Sequence, residues 1–185
     1  MIENLYQFYF NQGLGSAKND YLTLAVESLK KAVVLKADAA EAWDLMGLCY
    51  YRMGRFGNSR FCWGQSASFS RLWQNDIEEE KLRLCLQQIE PLLKKKRFKK
   101  AVRIFEKMTA SIEGKAHLLS FAGMIKLKSK DYKGAVSDFT QALTIDRGNS
   151  KAAEYLIYIN KMNKMNKPVW TILDVFKTLT GKVKK

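Results

Sequence analysis

Two stretches of the chain decide its fold: WDLMGLCYYRMGRFGNSRFCWGQS at residues 43–66 and LSFAGMIKLKSKDYKGAVSDFTQA at residues 119–142. Bulky, small and aromatic side chains recur in both in the same order, so that Gly47 matches Gly123 and Trp63 matches Phe139. The surrounding sequence is rich in Ala, Leu, Lys and Glu and holds only two prolines, which favours helix over sheet. The shared spacing therefore predicts an internal repeat in a helical chain.

Weaker copies of the same pattern lie between these two stretches and before the first of them. One copy keeps only its second half, at Phe98, Ala101, Phe105 and Met108, and another has Tyr9, Gly13, Ala25, Leu29 and Ala32. The repeats cover about residues 6–39, 40–73, 82–115 and 116–149, with an insertion at 74–81. This arrangement resembles the tetratricopeptide repeat family, whose 34-residue unit is two antiparallel helices joined by a short turn.

The resemblance implies an all-α fold, a right-handed superhelical solenoid of about four antiparallel helix pairs with a C-terminal capping helix or helices. We expect the solenoid to span residues 1–167, with the capping helix at 150–166. Residues 168–185 then form a separate C-terminal amphipathic and basic segment. The recurring aromatic residues are interpreted as core fillers between helix pairs.

The third copy departs from the pattern. Ile89 stands where the small residue belongs, and Pro91 falls inside the expected first helix. Because proline removes a helical hydrogen bond, it predicts an end or a kink there. Asn75 or Asp76 followed by three glutamates predicts that the helix starts near Asp76.

The sequence offers no catalytic or metal-binding constellation, so we expect a non-catalytic protein without cofactors. Cys49, Cys62 and Cys85 form no CxxC pair and are interpreted as buried thiols. His117 is placed on a helix surface, with no nucleophile or carboxylate at a spacing that would make it a catalyst.

The family resemblance implies that a partner peptide or helix binds along a concave groove lined by the first helix of each pair. Matching positions give these groove candidates: Phe10, Leu14, Glu41, Asp44, Leu48, Tyr51, Arg83, Leu86, His117, Met124 and Leu127. The alternative is that some of them only pack against neighbouring helices. The clamp that binds acidic chaperone tails is absent, since only Arg83 among its five positions is compatible. An apolar or amphipathic ligand is therefore expected.

The net positive charge is confined to the second half of the chain. Residues 1–80 hold 8 Lys and Arg against 10 Asp and Glu, whereas residues 81–185 hold 24 against 8. A dense cluster comprises Lys94, Lys95, Lys96, Arg97, Lys99, Lys100 and Arg103. The alternative function is therefore electrostatic association with nucleic acid or an anionic membrane surface, and the plainer interpretation is a solvated exterior.

The last segment carries an apolar strip after Pro168. It comprises Trp170, Leu173, Phe176 and Leu179, at helical spacing. This strip is predicted either to cap the array permanently or to dock in a groove, its own or that of a second copy by self-association. The N-terminus lacks a basic signal-peptide region and no stretch is long enough to span a membrane, so we expect a soluble, cytoplasmic protein.

Overall fold

The computed structural model describes residues 2–112 and 114–165, and this part of the chain is helical throughout, without strands. The C-terminal segment 168–185 and its apolar strip lie outside the described residues. The helices are α1 (Ile2–Lys18), α2 (Leu22–Leu35), α3 (Ala40–Met53), α4 (Phe56–Gln65), α5 (Phe69–Lys94), α6 (Phe98–Thr109), α7 (Ala116–Lys128), α8 (Tyr132–Ile145) and α9 (Ser150–Met165).

The helices pack in sequence order, each against the next. Helices α1 to α8 form four consecutive pairs, and α9 packs on α8 after the last pair. This confirms the predicted all-α array of helix pairs. Each unit has an apolar face that it cannot bury alone, so stacking of neighbours stabilises the array.

Small residues and bulky fillers meet within each pair. A Cβ placed on Gly47 would lie 2.5 Å from the Trp63 indole nitrogen, and one on Gly123 would lie 2.9 Å from the Phe139 ring. Trp63 and Phe139 are themselves buried. The glycine of the first helix is therefore needed because the aromatic ring of the second helix lies directly against its backbone.

Helix α5 corrects the expectations for the third repeat. It begins at Phe69 rather than near Asp76, and it passes through Pro91 before ending at Lys94. Asn75 does not cap a helix; its buried side chain accepts a hydrogen bond from the Ser59 hydroxyl and donates one to the Phe56 carbonyl. A tertiary partner thus satisfies the asparagine that local sequence rules would place at a helix start.

Pro91 is tolerated because it stands only one turn from the end of α5, where a single backbone hydrogen bond is lost. The chain then reverses through Lys96, which has a positive φ of 55°. Residues 74–81 lie within α5 and lengthen this helix to 26 residues, against 12 for α6.

The first and last pairs touch each other. The Arg147 amide donates to the Asp20 carbonyl at 2.7 Å, and the Thr23 hydroxyl donates to the Asp146 carboxylate at 2.6 Å. Helix α3 also contacts α7, although α4, α5 and α6 lie between them in sequence. The array therefore curls back on itself, so that helix pairs distant in sequence are in contact.

Candidate functional site

The groove candidates of the first repeat are engaged within the fold. Phe10 packs against the core of the first two pairs and stacks on Tyr6, with ring centroids 5.9 Å apart. The Tyr6 hydroxyl donates to the Glu41 carboxylate and holds the pKa of that group below its usual range. Leu14 is half-buried.

Candidates in the middle of the array mostly contact α5 or the loop before it. Asp44 accepts a hydrogen bond from the Ser68 hydroxyl at 2.7 Å and pairs with Arg71 at 3.4 Å. Leu48 is half-buried, and Leu86 is exposed on α5. Arg83 is also exposed and pairs with Glu80 on its own helix.

A buried ionic cluster fills the space between α3, α5 and the start of α7. The Tyr51 hydroxyl donates to Glu78 at 2.7 Å, and the Lys115 ammonium lies 3.4 Å from the other Glu78 oxygen. The same ammonium is 3.4 Å from the centre of the Tyr51 ring, a cation–π contact. Glu78 and Lys115 are only 5% and 7% exposed, so these two charges pair with each other and are not accessible to a binding partner.

Beside this cluster, His117 faces Arg55 rather than solvent. The Arg55 guanidinium donates to Nε2 of His117 at 2.7 Å, which requires a neutral imidazole. Burial and the Arg55 charge lower the pKa of His117. Together, Tyr51, Glu78, Lys115, Arg55 and His117 are bonded to one another within the fold, and we call this set the closed stretch.

The remaining candidates, Met124 and Leu127, line an open cavity of about 400 Å³ between α7 and α9. Its other walls come from three side chains of α9 and from the start of α8: Tyr155, Tyr158, Met162 and Tyr132. Glu154 and Lys128 stand among the lining residues as its charged members. We call the apolar part, Met124, Leu127, Tyr155, Tyr158 and Met162, the open groove.

The floor of the open groove is rigidly supported. The Tyr155 ring stacks on the buried Phe139 ring, with centroids 5.1 Å apart, and its hydroxyl donates to the Met124 sulfur at 3.2 Å. By contrast, Tyr158 is 51% exposed and Met162 is 37% exposed. A fixed aromatic floor with exposed apolar walls suits an apolar or amphipathic segment laid between two helices.

Sequence reasoning missed the α9 side of this groove because it interpreted α9 only as a cap. The signal was present, since Tyr155, Tyr158 and Met162 recur at helical spacing on a side of α9 different from that of the buried Ala152 and Ile159. An end cap with a polar outer face would not show this second apolar side.

A second cavity, of about 540 Å³, lies between α6, α7 and α8. Lys126 crosses it and pairs with Glu106 and Asp138, each at 2.8 Å. Burial raises the pKa of Asp138 even though Lys126 opposes this effect. The three charged groups Glu106, Lys126 and Asp138 of this cavity thus pair with one another.

The basic cluster lies where α5 turns into α6. All seven of its predicted members, Lys94, Lys95, Lys96, Arg97, Lys99, Lys100 and Arg103, are exposed. Lys94 pairs with Glu90, and the other six form no ion pair with any acid of the described residues. The turn is therefore a compact, positively charged projection.

Within residues 2–112 and 114–165, no group of His, Cys, Asp and Glu could hold a metal ion. The three cysteines are buried and free, and burial raises the pKa of Cys49 to about 12 and that of Cys62 to about 11. These thiols stay protonated and unreactive at neutral pH. In the same described part, no helix is long and apolar enough to cross a membrane.

Comparison with known proteins places a tetratricopeptide repeat at residues 116–149. No curated protein sequence matches the chain. Among solved structures, it is similar to MamA (residues 41 to the end) from Desulfovibrio magneticus RS-1, with 16% identity over 96% of this chain and 94% of that one and a TM-score of 0.43. It is also similar to the TPR domain of P58(IPK), with 17% identity over 88% of this chain and 57% of that chain and a TM-score of 0.41. Residues 116–149 thus match a tetratricopeptide repeat, and repeats of this kind indicate a protein–protein interaction module.

Proposed function

We propose that this tetratricopeptide-repeat protein is a non-catalytic adaptor that binds an amphipathic helix or peptide of a partner in the open groove. The observation that carries the proposal is the apolar cavity between α7 and α9, which contains the predicted Met124 and Leu127. The polar groove candidates are already hydrogen-bonded or ion-paired within the fold; they are Glu41, Asp44, Tyr51, Arg83 and His117.

The chemistry of the open groove defines the partner. Methionine, leucine and tyrosine side chains favour Leu, Ile, Phe or Met anchors, and methionine adapts its shape to different ones. Glu154 and Lys128 supply one charge of each sign among the lining residues. A partner segment with apolar residues on one face and mixed charge at its edge fits this composition.

Photo-crosslinking in source cells tests the proposal. The photoreactive amino acid p-benzoylphenylalanine replaces Tyr158 in the groove. In two control proteins it replaces Ile157 or Trp73, which do not line the groove and are 43% and 75% exposed. We expect one partner protein to crosslink from position 158 through a mapped amphipathic segment, and not from the two control positions. Equal labelling from all three positions, or labelling of no discrete segment, contradicts the proposal.

The basic turn supports an alternative, electrostatic association with nucleic acid or an anionic membrane surface, because six of its charges have no described acidic partner. Such binding weakens steeply with salt, whereas apolar binding in the groove does not. Changing Lys95, Lys99 and Lys100 to Glu leaves the groove intact. If this triple variant abolishes partner capture and the Tyr158→Glu variant does not, the alternative takes the place of the groove proposal.

A further inference from the structure

We propose that the open groove is occupied, in the absence of a partner, by the chain's own C-terminal segment 168–181, with Trp170 beside Met162. This inference rests on the proposed function, because it names the segment that a partner must displace. It is argued from the place where α9 ends, from matching lengths and from matching charges.

The first argument is proximity. Helix α9 ends at Met165, and Met162 in its last turn belongs to the groove. Residues 166–168 then connect α9 to the apolar strip and reach about 10 Å when extended. Proline at position 168 disfavours continuation of α9 through this point, so a segment folding back here would start beside the groove.

The second argument is length. The groove residues of α9 run from Glu154 to Met162, about 12 Å along the helix axis. As a helix, the strip from Trp170 to Leu179 measures about 14 Å. A segment running antiparallel to α9 therefore places its apolar residues along the whole groove.

The third argument is charge. Between residues 169 and 181 the segment has one acid, Asp174, and one base, Lys177. The charged lining residues of the groove are Glu154 and Lys128, and neither forms an ion pair with a described residue. With Trp170 opposite Met162, antiparallel pairing brings Lys177 within one position of Glu154.

Hydrogen–deuterium exchange of the full-length protein, without any partner, tests this inference. The amides of residues 169–180 should exchange at least about tenfold more slowly than in an unstructured peptide. Tyr158→Glu puts a charge into the groove and should remove this protection. Ile157→Glu is the matched control, since Ile157 is exposed on the same helix but does not line the cavity. Exchange in α8 serves as the folding control for both variants.

A charge exchange tests the register. Lys177→Glu and Glu154→Lys should each speed exchange of the segment by about twofold to fivefold, as expected for an exposed ion pair. The double variant should restore the protection. The inference is overturned if the wild-type amides at 169–180 exchange freely, or if Tyr158→Glu and Ile157→Glu lose equal protection in this segment. Protection that rises with protein concentration would also overturn it and would assign the strip to a second copy.

The two proposals can fail separately. A partner that crosslinks at position 158, combined with an unprotected segment, leaves the adaptor function standing and refutes self-occupation. A protected segment, with no partner crosslinked even after Trp170→Ala and Phe176→Ala release it, supports self-occupation and refutes the adaptor function at this groove.

Discussion

The closed stretch and the open groove both include side chains from α7 or from the residue just before it, yet they differ in polarity and in exposure. The closed stretch holds a buried ion pair and an arginine–histidine hydrogen bond, and its polar groups bind one another. The open groove has a stacked aromatic floor and exposed apolar walls. Positions that correspond in the repeat pattern are thus bonded within the fold at one place and line an open cavity at another.

The difference arises from how the array curls. Helix α7 reaches back to α3 at its N-terminal end, where Lys115 and His117 contact the second pair. Its C-terminal end, with Met124 and Leu127, packs near α8 and lines the cavity that α9 shares. One helix therefore contributes to both regions, and the contact partner decides which role each turn of it takes.

The largest expected effect comes from breaking the closed stretch. Lys115→Met leaves the Glu78 carboxylate buried without its cation, which should cost about 3–5 kcal/mol in the free energy of unfolding measured by denaturant titration. Exposed Lys94→Met is the control and should change it by less than about 0.5 kcal/mol. A loss below 1 kcal/mol for Lys115→Met would show that the closed stretch is not a buried structural element.

Packing within the helix pairs should not distinguish the two regions. Gly47→Leu and Gly123→Leu each drive a side chain into a buried ring and should each destabilise the protein by about 1–3 kcal/mol or more. Gly64→Ala is the control, because a Cβ there meets no neighbour. Thermal unfolding checks this prediction, and unchanged stability in either leucine variant would disprove the repeat alignment.

The junction of the first and last pairs sharpens the comparison further. Asp146 is 1% exposed and accepts hydrogen bonds from the Thr23 amide and hydroxyl. Asp146→Ala should therefore cost about 1–3 kcal/mol by leaving the Thr23 donors unsatisfied. In hydrogen exchange, the protection loss should concentrate in α2 and α8. A loss confined to α9 would indicate that this junction does not hold the curl.

A pH effect on stability is expected from the closed stretch. The groups that face His117 are Arg55, Asp146 and Lys151, and burial together with Arg55 lowers its pKa in the folded state. Below the unfolded pKa of about 6.5, the unfolded chain binds a proton that the native state excludes, so stability falls as pH drops. Unfolding between pH 7.5 and 5.5 should show this decline, and His117→Gln should reduce it. An equal decline in both proteins would remove His117 from this role.

The smallest effect on stability is expected in the open groove. Tyr158→Gln alters a side chain that is 51% exposed and should change the free energy of unfolding by less than about 0.5 kcal/mol. The same substitution should abolish crosslinking of the partner from a photoreactive residue at position 162. A variant that unfolds more easily but still crosslinks would reverse the roles assigned to the two regions.

The interior of each pair was predictable because it depends on contacts at short sequence separation. Gly47 with Trp63 and Gly123 with Phe139 are 16 residues apart, and their spacing repeats along the chain. The start of α5 was not predictable from local rules. Asn75 looks like a helix cap in sequence, but its partners in space are Ser59 and Phe56 on the preceding helix.

By itself, the sequence determined that this protein is an array of helix pairs, because the 34-residue pattern repeats the contacts that build one pair and stack it on the next. Only the tertiary structure decided which of the groove candidates are bonded within the fold and which line an open cavity. That choice depends on the curl that brings Asp20 to Arg147 and Arg55 to His117, contacts across 127 and 62 residues. No local spacing encodes such contacts, since they arise from the summed geometry of all the stacked pairs.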